Sequence, residues 1–291
     1  MATQRLVVTA ALVVVALHAS TSRSGRAAIL PSPVGLDAPR AGDDDGLRLR
    51  TLNVFALPWP LAPAAESRCA RIADSLRDGG VDVLALQEVW TEAAAAAFAR
   101  IGYHRACPAG ETGLVGGTGL LTLSLHPVRS AELRHFSAAA GVERVVAKGA
   151  LRTVIALPDR DLDVWNLHLQ SGVADGPVRG RQIDELLGWL AEHATVPFAA
   201  VVGDFNCAPG DPEFVCLRDG LAALGFRHAP CGLPTYDHVS NPLAEVQPPA
   251  EIDHVFVRVE APLHGDRVHD APDPVGPVSD HYGVEIVLPR R

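Results

Sequence analysis

Apolar residues recur along this chain in two patterns, and each predicts a different secondary structure. Short apolar or alternating runs are typical of strands in a sheet, whereas apolar positions three and four residues apart are typical of amphipathic helices. The strand pattern predicts strands at residues 47–54, 81–86, 119–125, 151–157, 162–169, 198–205, 252–259 and 282–288. The helical pattern predicts one helix through Cys69, Ile72, Ala73 and Leu76, two more over residues 93–98 and 179–193, and one that opens at Asp211-Pro212.

The order of these elements limits the fold class. Strands outnumber helices, both kinds are mixed along one chain, and no internal repeat interrupts the pattern. A chain of this kind is expected to pack its helices against sheets in layers. We therefore predict a layered α/β or α+β domain over residues 47–291.

The first 46 residues follow neither pattern of the folded domain. Arg5 precedes an apolar run over residues 6–17, and small and polar residues follow it, which predicts a secretory signal peptide over residues 1–22. The run is shorter than the ~20 residues that a membrane-spanning helix needs, although an uncleaved anchor is the alternative. Residues 23–46, rich in Pro, Gly, Ser, Arg and Asp, predict a linker. We expect a secreted or periplasmic protein, membrane-anchored if the signal is uncleaved.

Composition restricts the partners. The formal net charge of −9 does not favour a general attraction to nucleic acid, although an acidic enzyme can act on a polyanion when metal ions lie at its site. Export would permit disulfides among the five cysteines, and Cys207 with Cys216 would close a short loop. No cysteines show CxxC spacing, so we expect no zinc site.

Polar residues lie at or near the ends of the predicted strands, or just before the last one. Each alone has an ordinary structural explanation, such as a turn, a helix start or a buried histidine. Together they offer carboxylate and amide oxygens, which suit Mg²⁺, and imidazoles with carboxylate partners, which suit general acid–base chemistry. These residues are Asn53, Glu88, His168, Asp204, Asn206, Asp253, Asp280 and His281.

Six short motifs containing these residues resemble the endonuclease/exonuclease/phosphatase superfamily, in the same order along the chain. They are Leu52-Asn53-Val54, Leu86-Gln87-Glu88-Val89-Trp90, Asn166-Leu167-His168-Leu169, Gly203-Asp204-Phe205-Asn206, Ile252-Asp253-His254-Val255-Phe256 and Ser279-Asp280-His281-Tyr282-Gly283. Within the superfamily, neutral sphingomyelinases are the most similar. The residues that favour them are Gln87-Glu88-Val89-Trp90, the segment from Gly116 to His126-Pro127, Lys148-Gly149, Ser279-Asp280-His281, Thr235-Tyr236-Asp237 and Asn241-Pro242-Leu243.

The resemblance implies a fold and a metal. The fold would be a four-layer αββα sandwich, with two mixed sheets flanked by helices and the site at one rim. Glu88 would be the principal Mg²⁺ ligand, with Asn53 at the metal or the phosphate and Asp280 on the metal-facing side. Mn²⁺ or another divalent cation is the alternative to Mg²⁺.

The resemblance also implies catalytic roles. His281 would be the general base, oriented by Asp253. Asp204 and Asn206 would position the attacking water and the phosphate. His168 would stabilise the transition state or protonate the leaving alkoxide.

Two residues outside this set allow two interpretations. Lys148, the only lysine, could contact the substrate phosphate as a point charge or lie at the rim without a role. His254 follows Asp253 on a predicted strand, so its side chain should point to the opposite face, and we interpret it as structural.

The motifs predict an exported, Mg²⁺-dependent phosphodiesterase. Its expected activity is that of a sphingomyelinase-like phospholipase C on a choline phospholipid, with peripheral membrane contact and a monomeric state. The alternatives are a secreted DNase-like endonuclease, a phosphatase acting on a soluble phosphoester, and a non-catalytic binding domain of the same fold. Neither a local cluster of basic residues nor a long apolar hairpin is visible in the sequence.

Overall fold

The computed structural model describes residues 24–33, 46–77, 80–109, 114, 116–193, 196–259, 265–268 and 276–289. The predicted signal peptide, residues 1–22, lies outside the described residues. Within those described ranges, no helix is both long and apolar enough to cross a membrane.

The strands form two mixed sheets. They are β1 (Ser24–Gly25), β2 (Ala27–Leu30), β3 (Gly46–Asn53), β4 (Val83–Gln87), β5 (His104–Pro108), β6 (Leu121–Ser124), β7 (Val128–His135), β8 (Gly149–Ala156), β9 (Asp161–His168), β10 (Ala199–Asp204), β11 (Arg227–His228), β12 (Asp253–Arg258), β13 (Asp266–Val268) and β14 (Gly283–Pro289). Sheet I has the order β1-β7-β8-β9-β10-β12-β11, and sheet II has the order β13-β14-β3-β4-β6-β5-β2. The pairs β9–β10 and β3–β4 are parallel.

Four helices of the described chain cover the outer faces of the sheets. They are α1 (Ala65–Arg77), α2 (Glu92–Phe98), α3 (Gly176–Glu192) and α4 (Pro212–Ala223). Alternate residues of β4 point to different layers: Leu84 and Leu86 pack with α1 and α2, while Val83 and Ala85 pack in the core between the sheets. On the other side, α3 and α4 bury their apolar faces against sheet I. The predicted four-layer αββα sandwich is confirmed.

The structure differs from the linker prediction at residues 24–30. There β1 pairs with β7 at the edge of sheet I, and β2 pairs with β5 at the edge of sheet II. Four apolar residues between polar and proline-rich stretches give a weak local signal. The backbone hydrogen bonds that stabilise these strands come from sheet edges distant in sequence. Strands β5 and β7 were also not predicted, because they lack a continuous apolar run.

The cysteines are free thiols in the structure. Cys207 is buried, whereas Cys216 is exposed on α4, so the disulfide considered between them is not formed. Burial raises the pKa of the Cys207 thiol, and this thiol is held in the protonated, unreactive form at neutral pH.

Candidate active site

Strand register brings the predicted site residues of sheet I into one row. Asp204 is the last residue of β10 and lies opposite His168, the last residue of β9. On its other side it lies opposite Asp253, the first residue of β12. The end of one strand and the start of an antiparallel neighbour meet at the same rim. The three side chains are therefore neighbours, although they are far apart in sequence.

Asn53 joins this row to sheet II. It ends β3, and its Nδ2 donates a hydrogen bond to Asp204 Oδ2 at 3.0 Å, across the gap between the sheets. The Ser279 hydroxyl donates to the backbone oxygen of Asn53 at 2.5 Å, which holds the loop bearing Asp280 and His281 against β3. The two halves of the sandwich are thus connected by polar contacts at the site itself.

Two site residues have backbone conformations that side chains with a Cβ rarely adopt. Glu88 has φ = 59° directly after β4, and Asn206 has φ = 52° directly after Phe205. Such left-handed conformations cost on the order of 1 kcal/mol for residues other than glycine, and they cluster at functional sites. At Asn206 the turn is stabilised because its backbone N–H donates to Asp204 Oδ1 at 3.0 Å.

His281 and Asp253 form a buried pair. The His281 Nδ1 lies 2.8 Å from Asp253 Oδ2, and the backbone N–H of Asp253 donates to the Thr235 hydroxyl at 3.0 Å. With Nδ1–H donating to the carboxylate, Nε2 faces the Asp204 Oδ2 at 3.8 Å. Burial would lower the pKa of His281, but the carboxylates of Asp253, Asp280 and Asp204 raise it well above its ordinary value.

His168 lies in the opposite electrostatic situation. Its Nε2 is 3.0 Å from Lys148 Nζ and 3.3 Å from Asp204 Oδ2. An ammonium can only donate, so this contact assigns the lone pair to Nε2 and the proton to Nδ1. Burial, the Lys148 charge and the His281 charge lower the pKa of His168 well below its ordinary value, and the ring is neutral.

Lys148 is buried beside His168 and is not exposed to solvent. Its Nζ donates to the Leu169 backbone oxygen at 2.6 Å, pairs with Glu143 Oε1 at 2.7 Å and contacts His168. These three partners match the three donors of an ammonium group. A direct contact of Lys148 with substrate phosphate stays a prediction, and it would require the exchange of one of these partners.

The carboxylates of the site are held close together away from water. Burial, followed by repulsion from nearby carboxylates, raises the pKa of Asp204 to about 6. Burial and the neighbouring Glu88 raise the pKa of Asp280 to about 7. Burial also raises the pKa of Glu88. Buried carboxylates that share one space must either take up a proton or be compensated by a positive charge.

A divalent cation fits this donor set. Oxygen or nitrogen atoms of Asp204, Asp253 and His281 lie within 4.8 Å of one another. Among the described residues, Glu88 Oε2 and Asp253 Oδ1 are buried without a hydrogen-bond partner. Such orphaned carboxylate oxygens are the ligands that Mg²⁺ and similar hard cations prefer. The predicted metal residues adjoin this group: Asn53 donates to Asp204, Glu88 interacts with Asp204 and His281, and Asp280 interacts with Glu88 and His281. Asp204 would be a further ligand.

Arg68 supports the site and was not predicted. Its guanidinium donates to the backbone oxygens of Val54 at 2.9 Å and Val278 at 2.7 Å. It thereby holds together the loops that follow Asn53 and precede Asp280. The available signal in the sequence was an arginine next to Cys69 on the buried side of the predicted helix.

A family sequence model, described as the Endonuclease/Exonuclease/phosphatase family, matches residues 51–281. The chain belongs to this family. Its members are typically hydrolases that act on phosphoesters. No curated protein matches the sequence.

Solved structures with the same fold include a sphingomyelinase C, a beta toxin and TDP2. Sphingomyelinase C from Streptomyces griseocarneus is 22% identical, with a TM-score of 0.66, over 84% of this chain and 99% of that chain. A beta toxin mutant from Staphylococcus aureus with bound magnesium ions is 19% identical, with a TM-score of 0.69 and the same coverage. Truncated TDP2 from Caenorhabditis elegans is 17% identical, with a TM-score of 0.66, over 83% and 96%. These likenesses show the fold.

Proposed function

We propose that this protein is an exported, Mg²⁺-dependent phosphodiesterase of the sphingomyelinase-like phospholipase C type. The observation that carries the proposal is the His281–Asp253 pair, which faces Asp204 beside a buried carboxylate cluster. Phosphodiester hydrolysis needs a base, a site for positive charge and a pocket that holds the phosphate. A non-catalytic binding domain would have no need for this costly arrangement of buried charges.

His281 is the general base in this proposal. Asp253 holds the Nδ1 proton, which leaves Nε2 to take a proton from a water molecule. The gap of 3.8 Å between Nε2 and Asp204 Oδ2 is too long for a direct hydrogen bond. A water that contacts both atoms would be oriented by Asp204 and deprotonated by His281.

The state of His281 depends on the charge around it. Its neighbouring carboxylates keep the ring protonated, and a protonated ring cannot accept a proton. The cation would be held by Glu88, Asp280, Asn53 and Asp204. It would neutralise the three carboxylates in this set and the phosphate oxygens. With the carboxylates neutralised, the pKa of His281 falls toward the range in which it can act as a base.

His168 is a hydrogen-bond donor in this scheme. Its ring is neutral, and its Nδ1 is buried without a partner among the described residues. In this tautomer only Nδ1–H can donate, and it would stabilise a phosphoryl oxygen of the transition state if the bound phosphate reaches that atom. This favours the predicted stabilising role of His168 over its alternative role as the acid for the leaving alkoxide.

A lipid substrate is supported by exposed apolar residues on the loops of the site rim. Trp59 follows Asn53 and is 85% exposed, Val173 follows His168 and is 84% exposed, and Val246 precedes Asp253 and is 86% exposed. Each of these loops begins or ends at a strand end that carries a site residue. Apolar side chains at such positions suit peripheral contact with a bilayer. The likeness to a solved sphingomyelinase C is in line with the same substrate class.

A substrate panel tests this function. The purified chain is incubated with Mg²⁺ and with sphingomyelin, lipids bearing choline, ethanolamine or inositol head groups, supercoiled plasmid and soluble phosphomonoesters. We expect release of phosphocholine, lost in Glu88→Ala and His281→Ala but retained in the surface control Asp159→Ala. Faster plasmid nicking would favour the nuclease alternative, and phosphate release from monoesters alone would favour a phosphatase. No turnover of any phosphoester with several metals would refute the proposed class.

Export is proposed from the pattern of residues 1–22 alone. Expression of the full chain, followed by cell fractionation and N-terminal sequencing, measures it. We expect the mature protein outside the cytoplasm, cleaved after the small-residue stretch. Full-length protein retained in the membrane fraction would identify an uncleaved anchor, and full-length protein in the cytoplasm would refute export.

A further inference from the structure

A second cluster of possible metal ligands lies behind the candidate active site. His254 follows Asp253 on β12, and its side chain lies on the opposite face of the strand, as predicted, where it packs against Phe205 and Phe214. There it meets His228 from β11 and Glu251 from the segment before β12. We propose that these three residues bind a divalent transition-metal ion of the Zn²⁺ class, through His228 Nε2, His254 Nδ1 and Glu251 Oε1.

The distances between the ligand atoms suit such an ion. His228 Nε2 lies 3.2 Å from His254 Nδ1, and Glu251 Oε1 lies 3.9 Å from the same Nδ1. The three ligand atoms all lie within 4.8 Å of one another. Metal–ligand bonds of about 2.0–2.1 Å in a tetrahedral site place ligand atoms roughly 3.3–3.4 Å apart. The two imidazole nitrogens already have this spacing, and Glu251 Oε1 has to approach them to complete the three ligands, which leaves the fourth position for water.

The ligands are also oriented by their surroundings. His254 Nε2 lies 2.9 Å from the backbone oxygen of Cys207, so Nε2 carries the proton and Nδ1 presents its lone pair to the cluster. Glu251 Oε1 accepts a hydrogen bond from the Cys231 backbone N–H at 3.0 Å. Metal-binding histidines usually donate their second ring N–H to a carbonyl or a carboxylate, and this contact fixes the tautomer.

The types of the three ligand atoms favour a borderline-soft cation. Two imidazoles and one carboxylate suit Zn²⁺, Co²⁺ or Ni²⁺, whereas Mg²⁺ prefers oxygen ligands. The absence of CxxC spacing, from which we expected no zinc site, does not bear on a site built from histidines.

An ion at this position would connect three parts of the chain. It would hold β11 and the segment that ends at Glu251 against β12, whose front face carries Asp253. The same segment contains Thr235, which accepts the backbone N–H of Asp253. The site would thus stabilise the backbone that positions the candidate base, while remaining separate from the carboxylate cluster. Without an ion, the His228 Nε2–H would donate to His254 Nδ1 across the 3.2 Å contact.

Metal titration of the full chain tests the proposal. The protein is first stripped with a chelator and saturated with Mg²⁺, and is then titrated with Zn²⁺ by calorimetry and with Co²⁺ by visible absorption. We expect one equivalent to bind with a four-coordinate Co²⁺ spectrum, and the same equivalent to bind in His281→Asn. His228→Asn and Glu251→Gln should weaken binding by at least roughly 10-fold, a typical cost of perturbing a metal site. The matched control His104→Asn should not.

Three outcomes would overturn the site. They are binding abolished by excess Mg²⁺, binding lost in His281→Asn, and binding unchanged in folded His228→Asn. Circular dichroism establishes whether each variant is folded. If His228→Asn does not fold, the wild-type protein decides. A rise of its melting temperature with stoichiometric Zn²⁺ in excess Mg²⁺, together with imidazole ligands by X-ray absorption, supports the site. The lack of either one refutes it.

Discussion

Strand β12 carries two neighbouring residues, Asp253 and His254, that belong to clusters of opposite character. On the front face, carboxylates surround His281 and raise the pKa of its imidazole well above the ordinary value. On the back face, apolar rings surround His254, and burial lowers the pKa of its imidazole to about 3. Both rings are buried, so burial alone does not decide the charge of a histidine. The neighbours that accompany burial decide it: carboxylates favour the charged form of the His281 ring, and apolar rings leave the His254 ring neutral.

The largest expected effect on turnover comes from a substitution at His281, in the cluster on the front face of β12. His281→Asn removes the group that takes the proton from water, and we expect turnover to fall by about 10²–10⁴ because general base catalysis typically contributes that much. Steady-state rates on the best substrate of the panel measure it. His104→Asn, a histidine on β5, is the matched control and should retain its rate. A loss of less than tenfold would mean that another group is the base.

Asp253→Asn is expected to cost about 10²-fold in turnover, because it removes the charge and the contact that orient His281. It also has a signature in the pH profile. Asp253 is the first of the charges that raise the pKa of His281, so its loss lowers that pKa. The acid limb of the rate profile should therefore move to lower pH. An unchanged limb would show that Asp253 acts only on the fold, and Asp159→Asn serves as the control.

Asp280→Asn should stabilise the metal-free protein at high pH. The pKa of Asp280 is about 7 in the folded protein, above the ordinary value of about 3.9, so folding favours the protonated form. Its contribution to stability is present at low pH and is lost as the pH rises from about 4 to about 7. In chelator we expect a gain on the order of 1–4 kcal/mol at pH 8 and little change at pH 4. Thermal melts at both pH values measure the difference, and equal effects at both would contradict this assignment.

The smallest effect is spectroscopic and compares the two faces directly. In chelated protein, the ring resonances of His281 should titrate above pH 6.5, whereas those of His228 should titrate near pH 4, because burial lowers its pKa to about 4. Imidazole carbon–proton correlation spectra over a pH series measure both, with assignment by His281→Asn and His228→Asn. Titration of both rings near pH 6.5 would remove the difference between the clusters.

Parts of this structure were predictable because their signal is local. The apolar runs of β4 and β10 and the helical spacing on α1 and α3 need no knowledge of distant residues. The edge strand β2 was missed because its four residues give a weak local signal, and its stabilising hydrogen bonds come from β5. The contacts of Lys148 with Glu143 and His168 could not be predicted either, since they depend on how the segment around residues 141–145 returns to β9.

The sequence by itself determined that Asn53, His168 and Asp204 lie at strand ends and which motifs place the chain in its family, because the alternation and order of residues are properties of the chain alone. It also determined that Asp253 and His254 point to opposite faces, because successive side chains of any strand do so. Only the tertiary structure decided what each face meets. The order of the sheets brings Asp204 and His281 to one side and His228 and Glu251 to the other. The charge of an imidazole depends on those neighbours through distance and burial, and neither is written in the local sequence.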